Sequence, residues 1–85
     1  MNKTEEYKKL FMETLSIDKK SFSEKIKYNE VPEWDSIGHM SLVSAIEEKY
    51  KINFETDDIV DFSSYIKGIE ILKKYKINLK KLINY

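Results

Sequence analysis

Residues 33–42 read EWDSIGHMSL, and they mark the start of a predicted helix. Asp35 and Ser36 are residue types that cap helix N-termini, because their side-chain oxygens accept hydrogen bonds from free backbone N–H groups. Apolar residues then recur every three or four positions, which is the period of a helix with one buried face. We predict that this face consists of Ile37, Met40, Val43, Ile46 and Tyr50, widened by Leu42 and Ala45.

A long loop is predicted before this helix. Its apolar residues are irregularly spaced, and Pro32 disfavours helical geometry at the preceding residue. Loops of this length inside compact domains are usually functional or disordered, and buried-type side chains favour the first. We expect the loop to be anchored by Ile17, Phe22, Ile26, Tyr28 and Val31.

Three further helices are predicted from spacing and caps. A first helix, capped by Asn2 or Thr4, ends near Ser16 and uses Tyr7, Leu10, Phe11 and Leu15 as its apolar positions. After a connector at 51–55, anchored by Ile52 and Phe54, Thr56 caps a short third helix that ends before Phe62. Ser63 or Ser64 caps the fourth, whose apolar face is Ile66, Ile69, Leu72 and Tyr75, flanked by Tyr65 and Ile71.

The predicted fold class is therefore all-α, a four-helix bundle with a long first loop and a short third helix. With 85 residues and 41% hydrophobic content, the chain predicts a single domain over residues 1–85. Its core covers about residues 4–76, and residues 77–85 form an extension that is a short helix or a frayed end. So small a core leaves little room for a catalytic cleft, so we do not expect an enzyme.

Composition excludes several classes of site. The chain has no cysteine and one histidine, so disulfides, thiolate metal sites and multi-histidine metal sites are excluded. No apolar run approaches the roughly 18 residues that a membrane span needs, and residues 1–10 are too polar for a signal peptide. We therefore predict a cytoplasmic protein without a membrane span.

Charge is unevenly distributed along a chain whose net charge is zero. Residues 1–29 carry seven lysines and five acids, residues 30–61 carry two lysines and nine acids, and residues 62–85 carry six lysines and one acid. A negative central third makes nucleic acid an unfavourable partner. Either the acids are simply a solvated face, or they attract a partner with an electropositive surface.

Three hypotheses explain the grouping of Asp35, Ser36 and His39. In the first, the aspartate or the serine only caps the helix, and Ser36→Ala costs about 1 kcal/mol. In the second, the three form a hydrolytic triad, but they do not line up within one turn, and no segment offers an oxyanion hole. In the third, Ser36 is an attachment point, because a phosphoryl group there would face free N–H groups. Gly38 would then leave room for a bulky substituent.

The tripeptide Asp35-Ser36-Ile37 resembles the D-S-L signature of acyl carrier proteins, whose serine carries a 4′-phosphopantetheine arm. The resemblance extends over roughly residues 4–75. It includes the long loop, the helix that ends in IEEKY at 46–50, the INF at 52–54, the short acidic helix at 56–60 and the last helix from residue 64.

The resemblance implies a non-catalytic carrier in which Ser36 bears 4′-phosphopantetheine and the arm holds acyl groups as thioesters. The implied partners are a phosphopantetheinyl transferase and acyl-activating, acyltransferase or ketosynthase enzymes with basic docking patches. No metal is implied, and we expect a monomer. The implied partner-contact residues are Asp35, Ile37, Met40, Ser41, Ser44, Glu47 and Glu48.

The chain also departs from the carriers of fatty acid synthesis. It is neutral with a lysine-rich C-terminal part, whereas those carriers are usually strongly acidic. The variant Trp34-Asp35-Ser36 and Gly38-His39-Met40 looks more like stand-alone carriers of specialised pathways. The resemblance thus implies fatty-acid-like, polysaccharide-modifying or secondary-metabolite biosynthesis. We expect Trp34 to pack at the helix start or to contact a partner, and His39 to face solvent or a partner. The alternative function is a small non-catalytic helical module for protein–protein interaction.

Overall fold

A computed structural model describes residues 3–79 and contains four α-helices in that range. Helix α1 covers Lys3–Leu15, α2 covers Ser36–Tyr50, α3 covers Thr56–Asp61 and α4 covers Tyr65–Lys74. Loop 1, residues 16–35, connects α1 to α2. The all-α prediction, with a long first loop and a short third helix, is confirmed. Within residues 3–79, none of the helices combines the length and the apolar character that a membrane span needs.

Aromatic side chains form the centre of the core. The Phe11 ring meets the rings of Trp34 and Tyr65 edge to face, with centroid distances of 5.0 and 5.2 Å. This arrangement aligns the positive edge of one ring with the negative face of another. Tyr7 lies beside Tyr65, and its hydroxyl donates to the Tyr65 carbonyl at 2.9 Å. Helices α1 and α4 and the end of loop 1 therefore share one aromatic cluster.

Loop 1 is anchored both by buried side chains and by backbone hydrogen bonds. Ile17 and Ile26 are buried, Phe22 and Val31 are half-buried, and Tyr28 is 38% exposed. The backbone of the loop bonds to the α3–α4 junction, where Tyr28 N–H donates to the Ser63 carbonyl at 2.8 Å. An isolated antiparallel bridge pairs residue 27 with residue 64. These bonds hold the loop against the end of the bundle from which α2 starts.

Several predicted helix ends differ from the structure. Thr4 lies inside α1 and is buried, so it is not the cap, and Asn2 lies outside the described residues. Glu55, not Thr56, is the N-cap residue of α3, and its side chain makes no capping hydrogen bond. Ser64 caps α4 by accepting from Lys67 N–H at 2.9 Å. Residues 77–79 are not helical, and the rest of the predicted extension lies outside the described residues.

The predicted apolar face of α2 is wrong in its first turn. Ile37 is 79% exposed and Met40 is 49% exposed, whereas the buried residues of the helix are Leu42, Val43 and Ile46. The inward positions of the first turn are occupied by Gly38 and His39, both half-buried. Apolar spacing alone could not detect this, since a glycine and a histidine take the place of apolar residues there.

Candidate functional site

Ser36 is the first residue of α2, and Asp35 caps the helix. The Asp35 side chain accepts from Gly38 N–H at 2.8 Å, and its backbone carbonyl accepts from His39 N–H at 2.8 Å. The N–H groups of Ser36 and Ile37 belong to the first turn, where an α-helix supplies no carbonyl partner. Because Asp35 makes the capping hydrogen bond, the Ser36 side chain is not used as the cap, and it is exposed to solvent.

The Ser36 hydroxyl lies beside the hydroxyl of Tyr28, with 3.2 Å between the two oxygens. Either oxygen can donate this hydrogen bond. The sequence predicted Tyr28 only as an anchor of loop 1, and no local pattern relates it to a serine eight residues later. The contact arises because Tyr28 N–H is bonded to the Ser63 carbonyl, which fixes the loop next to the start of α2.

His39 is not the solvent-facing residue that the sequence predicted. Its Nδ1 accepts from the Trp34 indole N–H at 3.0 Å, and its Nε2 lies 2.9 Å from the Ile59 carbonyl oxygen. The ring also packs 5.4 Å from the centroid of Phe62. Trp34 itself is fully buried, so its predicted packing at the helix start is confirmed, and it presents no surface to a partner.

These contacts separate the three residues of the candidate triad. Both His39 nitrogens face other groups, the Asp35 carboxylate caps the helix, and Ser36 pairs with Tyr28. A hydrolytic relay needs the histidine between the serine and the carboxylate. The described arrangement is therefore not a serine–histidine–aspartate relay.

Gly38 has a different role from the one that the sequence suggested. A Cβ at this position would lie 2.1 Å from the Glu33 carbonyl oxygen and 3.2 Å from Leu15 Cδ2. The glycine therefore faces inward, where the backbone of loop 1 crosses the first turn of α2. Its absent side chain makes room for that backbone and not for a substituent on Ser36.

The predicted partner-contact residues lie mostly on one open surface. Ser36, Ile37, Met40, Ser41 and Ser44 line a shallow depression of about 630 Å³. Asp35 and Glu48 are exposed nearby along the same helix.

Glu47 differs from the other predicted partner-contact residues. It is half-buried, and its Oε2 accepts from Phe54 N–H at 2.8 Å, so this carboxylate holds the connector after α2.

A second, mainly apolar depression of about 210 Å³ lies between loop 1, α2 and α3. Its lining residues are Tyr28, His39, Ile59, Val60, Phe62 and Ser63. Val60 is 74% exposed at its rim. No sequence pattern predicted this feature, because its walls come from three separate segments.

Most acidic residues of the central third face solvent, as a docking surface or a solvated face requires. The exposed ones are Glu30, Glu33, Asp35, Glu48, Glu55, Asp57 and Asp61. Glu47 is half-buried, and Asp58 is buried, since it is 4% exposed and accepts from Lys74 Nζ at 2.7 Å and from Tyr75 OH at 2.5 Å. The hydrogen bond from Lys74, followed by that from Tyr75, holds the pKa of Asp58 below its usual range despite burial.

Among residues 3–79, no group of three or more acidic, histidine or cysteine side chains is placed to hold a metal ion. Comparison of the chain with protein-family models and with curated proteins finds no match.

Proposed function

We propose that this protein is an acyl carrier protein whose Ser36 carries 4′-phosphopantetheine. The observation that carries the proposal is an exposed serine hydroxyl at the first position of α2, within the tripeptide that resembles the carrier signature. The second function, a plain helical interaction module, accounts for the bundle but not for that tripeptide in that place.

The surroundings of Ser36 fit a phosphodiester. Its side chain is exposed, and the first-turn N–H groups of α2 and the positive end of the helix dipole favour a negative group there. Asp35 is the one acidic side chain in the cap, and its carboxylate is occupied by Gly38 N–H. The open depression along α2 leaves the hydroxyl approachable by a transferase.

Loading would be a phosphoryl transfer to the Ser36 oxygen. The hydroxyl oxygen attacks the phosphorus that bears the pantetheine part of coenzyme A and forms a new O–P bond. The bond from that phosphorus to adenosine 3′,5′-bisphosphate breaks, and the serine proton leaves to a base of the transferase or to solvent. When bound, the group supplies a terminal thiol that carries acyl groups as thioesters, which this cysteine-free chain cannot supply itself.

The chemistry of the exposed α2 surface favours one class of protein partner. Ile37 and Met40 are large apolar side chains with no core role, and Asp35 and Glu48 flank them with negative charge. An apolar centre with a charged rim suits a protein partner whose patch is basic. We therefore include as partners a phosphopantetheinyl transferase and acyl-activating, acyltransferase or ketosynthase enzymes. A cytoplasmic monomer of a specialised biosynthetic pathway belongs to the same proposal.

The direct test is modification of the purified protein. Incubation with coenzyme A, Mg²⁺ and a phosphopantetheinyl transferase should raise the intact mass by one phosphopantetheine group, and Ser36→Ala should abolish the gain. Ser21→Ala is the control, because Ser21 is also an exposed serine but belongs to loop 1 and not to the partner-contact surface of α2. An unchanged mass for the wild-type protein would favour the interaction module.

A further inference from the structure

The apolar depression of about 210 Å³ starts next to the attachment point. Tyr28 belongs to both places, since its hydroxyl lies 3.2 Å from Ser36 Oγ and its ring lines the depression. The depression is small and partly open to solvent. A group tethered to Ser36 could therefore place only a short apolar segment there without moving protein atoms.

The inner wall of the depression is closed by a chain of hydrogen bonds through His39. An indole nitrogen can only donate, so the bond from Trp34 requires His39 Nδ1 to be the acceptor. In the neutral ring the hydrogen then resides on Nε2, which donates to the Ile59 carbonyl at 2.9 Å. One imidazole in this tautomer thus connects a fully buried tryptophan to the backbone of α3.

Behind His39 the core is filled by aromatic rings. Phe62 lies 5.4 Å from His39 and 6.0 Å from Trp34, and Phe11 lies 5.0 Å from Trp34, all between ring centroids. Phe62, Trp34 and Phe11 are each at most 1% exposed. Because protein interiors are packed as densely as organic crystals, a chain directed inward would have to displace these rings.

A second set of bonds holds α3 on the side that contacts α4. Buried Asp58 accepts from Lys74 and from Tyr75, at the C-terminal end of α4. Moving α3 away from α2 to admit a long chain would break the His39 bond to Ile59 and strain the Asp58 bonds to α4. The depression is therefore closed at its base by His39 and on the α3 side by contacts to both neighbouring helices.

We propose that His39 restricts the cargo of this carrier to short or polar acyl groups, which stay at the surface instead of entering the bundle. The inference rests on the proposed function and adds the class of substrate. A long alkyl chain excluded from the core would remain in water, whereas a short or polar acyl group exposes little apolar surface there.

The test compares two cargoes on the wild-type protein. A phosphopantetheinyl transferase that accepts acylated coenzyme A loads either acetyl or octanoyl thioester, and intact mass confirms loading. The protein has a single tryptophan, so its indole N–H gives a single signal in a ¹H–¹⁵N spectrum. We expect this signal and the Tm to be the same for both cargoes. An octanoyl form with a shifted indole signal and a higher Tm than the acetyl form would overturn the inference.

A variant at His39 tests whether removing this ring lets the longer acyl chain enter the protein. His39→Ala removes the ring that closes the base of the depression, so the octanoyl form should now have a higher Tm than the acetyl form. Ser21→Ala, at an exposed position of loop 1, should behave like the wild type. A His39→Ala protein that still shows no difference between cargoes would contradict the role of His39, and the wild-type comparison stands even if this variant does not fold.

Failure of the proposed function would be seen separately. If Ser36 accepts no arm, the mass does not change, and both proposals fall. If it accepts the arm and the octanoyl chain is buried, only the cargo inference falls.

Discussion

The substitution Gly38→Ala distinguishes two explanations for this glycine, because they predict changes in protein stability of opposite sign. If the glycine only left space in an exposed first turn, alanine would stabilise the protein by about 1 kcal/mol through its higher helix propensity. In the structure, however, the new Cβ would lie 2.1 Å from the Glu33 carbonyl oxygen. That atom belongs to the backbone and cannot rotate away, so loop 1 or α2 must shift.

The expected size of the effect follows from these two opposing terms. Overpacking a well-packed site typically costs 1–3 kcal/mol, and we expect a cost of about 3 kcal/mol for a backbone contact this short. Subtracting the propensity gain of about 1 kcal/mol leaves a net loss of about 2 kcal/mol. For a domain of this size such a loss lowers the Tm by roughly 8–16 °C.

Thermal and urea unfolding, followed by circular dichroism, measure this change. Ser41→Ala is the control, because it makes a similar substitution on the exposed side of the same helix, where no core contact is altered. A Gly38→Ala protein as stable as the wild type, or more stable, would refute the inward packing of this glycine.

The remaining predictions concern buried polar groups. Asp58→Ala should lower the Tm clearly more than Asp57→Ala, because only Asp58 is buried and hydrogen-bonded to α4, and equal losses would speak against the cluster. Because the folded-state pKa of Asp58 is lowered, the stabilisation from its ionised carboxylate is fully present above the ordinary aspartate pKa of about 3.9. This stabilisation is lost as the pH falls through the lower folded value. The Tm values of the two variants, measured as a function of pH, should therefore converge in that acid range. Tyr65→Phe should leave stability unchanged or raise it by about 1 kcal/mol in urea unfolding, because among the described residues the buried Tyr65 hydroxyl has no hydrogen-bond partner. Tyr7→Phe should instead lose about 1 kcal/mol, since the Tyr7 hydroxyl bonds to the Tyr65 carbonyl, and the reverse order would contradict the hydrogen-bond assignment.

The candidate site was only partly predictable from the sequence. Asp35 as a cap and Ser36 as the exposed first residue follow from local chemistry, because capping involves atoms only three residues apart. The neighbour of Ser36, Tyr28, was missed because the contact depends on how loop 1 is bonded to residue 63. His39 was misplaced because its partner Ile59 is twenty residues away.

The helices, the long loop and the exposed serine could be predicted from local sequence, since helical period and capping are properties of short segments. Tertiary packing decided which side of the first turn of α2 is buried, because Gly38 and His39 pack against the aromatic core and Ile37 and Met40 stay outside. It likewise decided that Asp58 is an internal hydrogen-bonded group and not a surface charge. Burial of a polar side chain depends on partners that the chain brings from distant positions, and no local pattern records them.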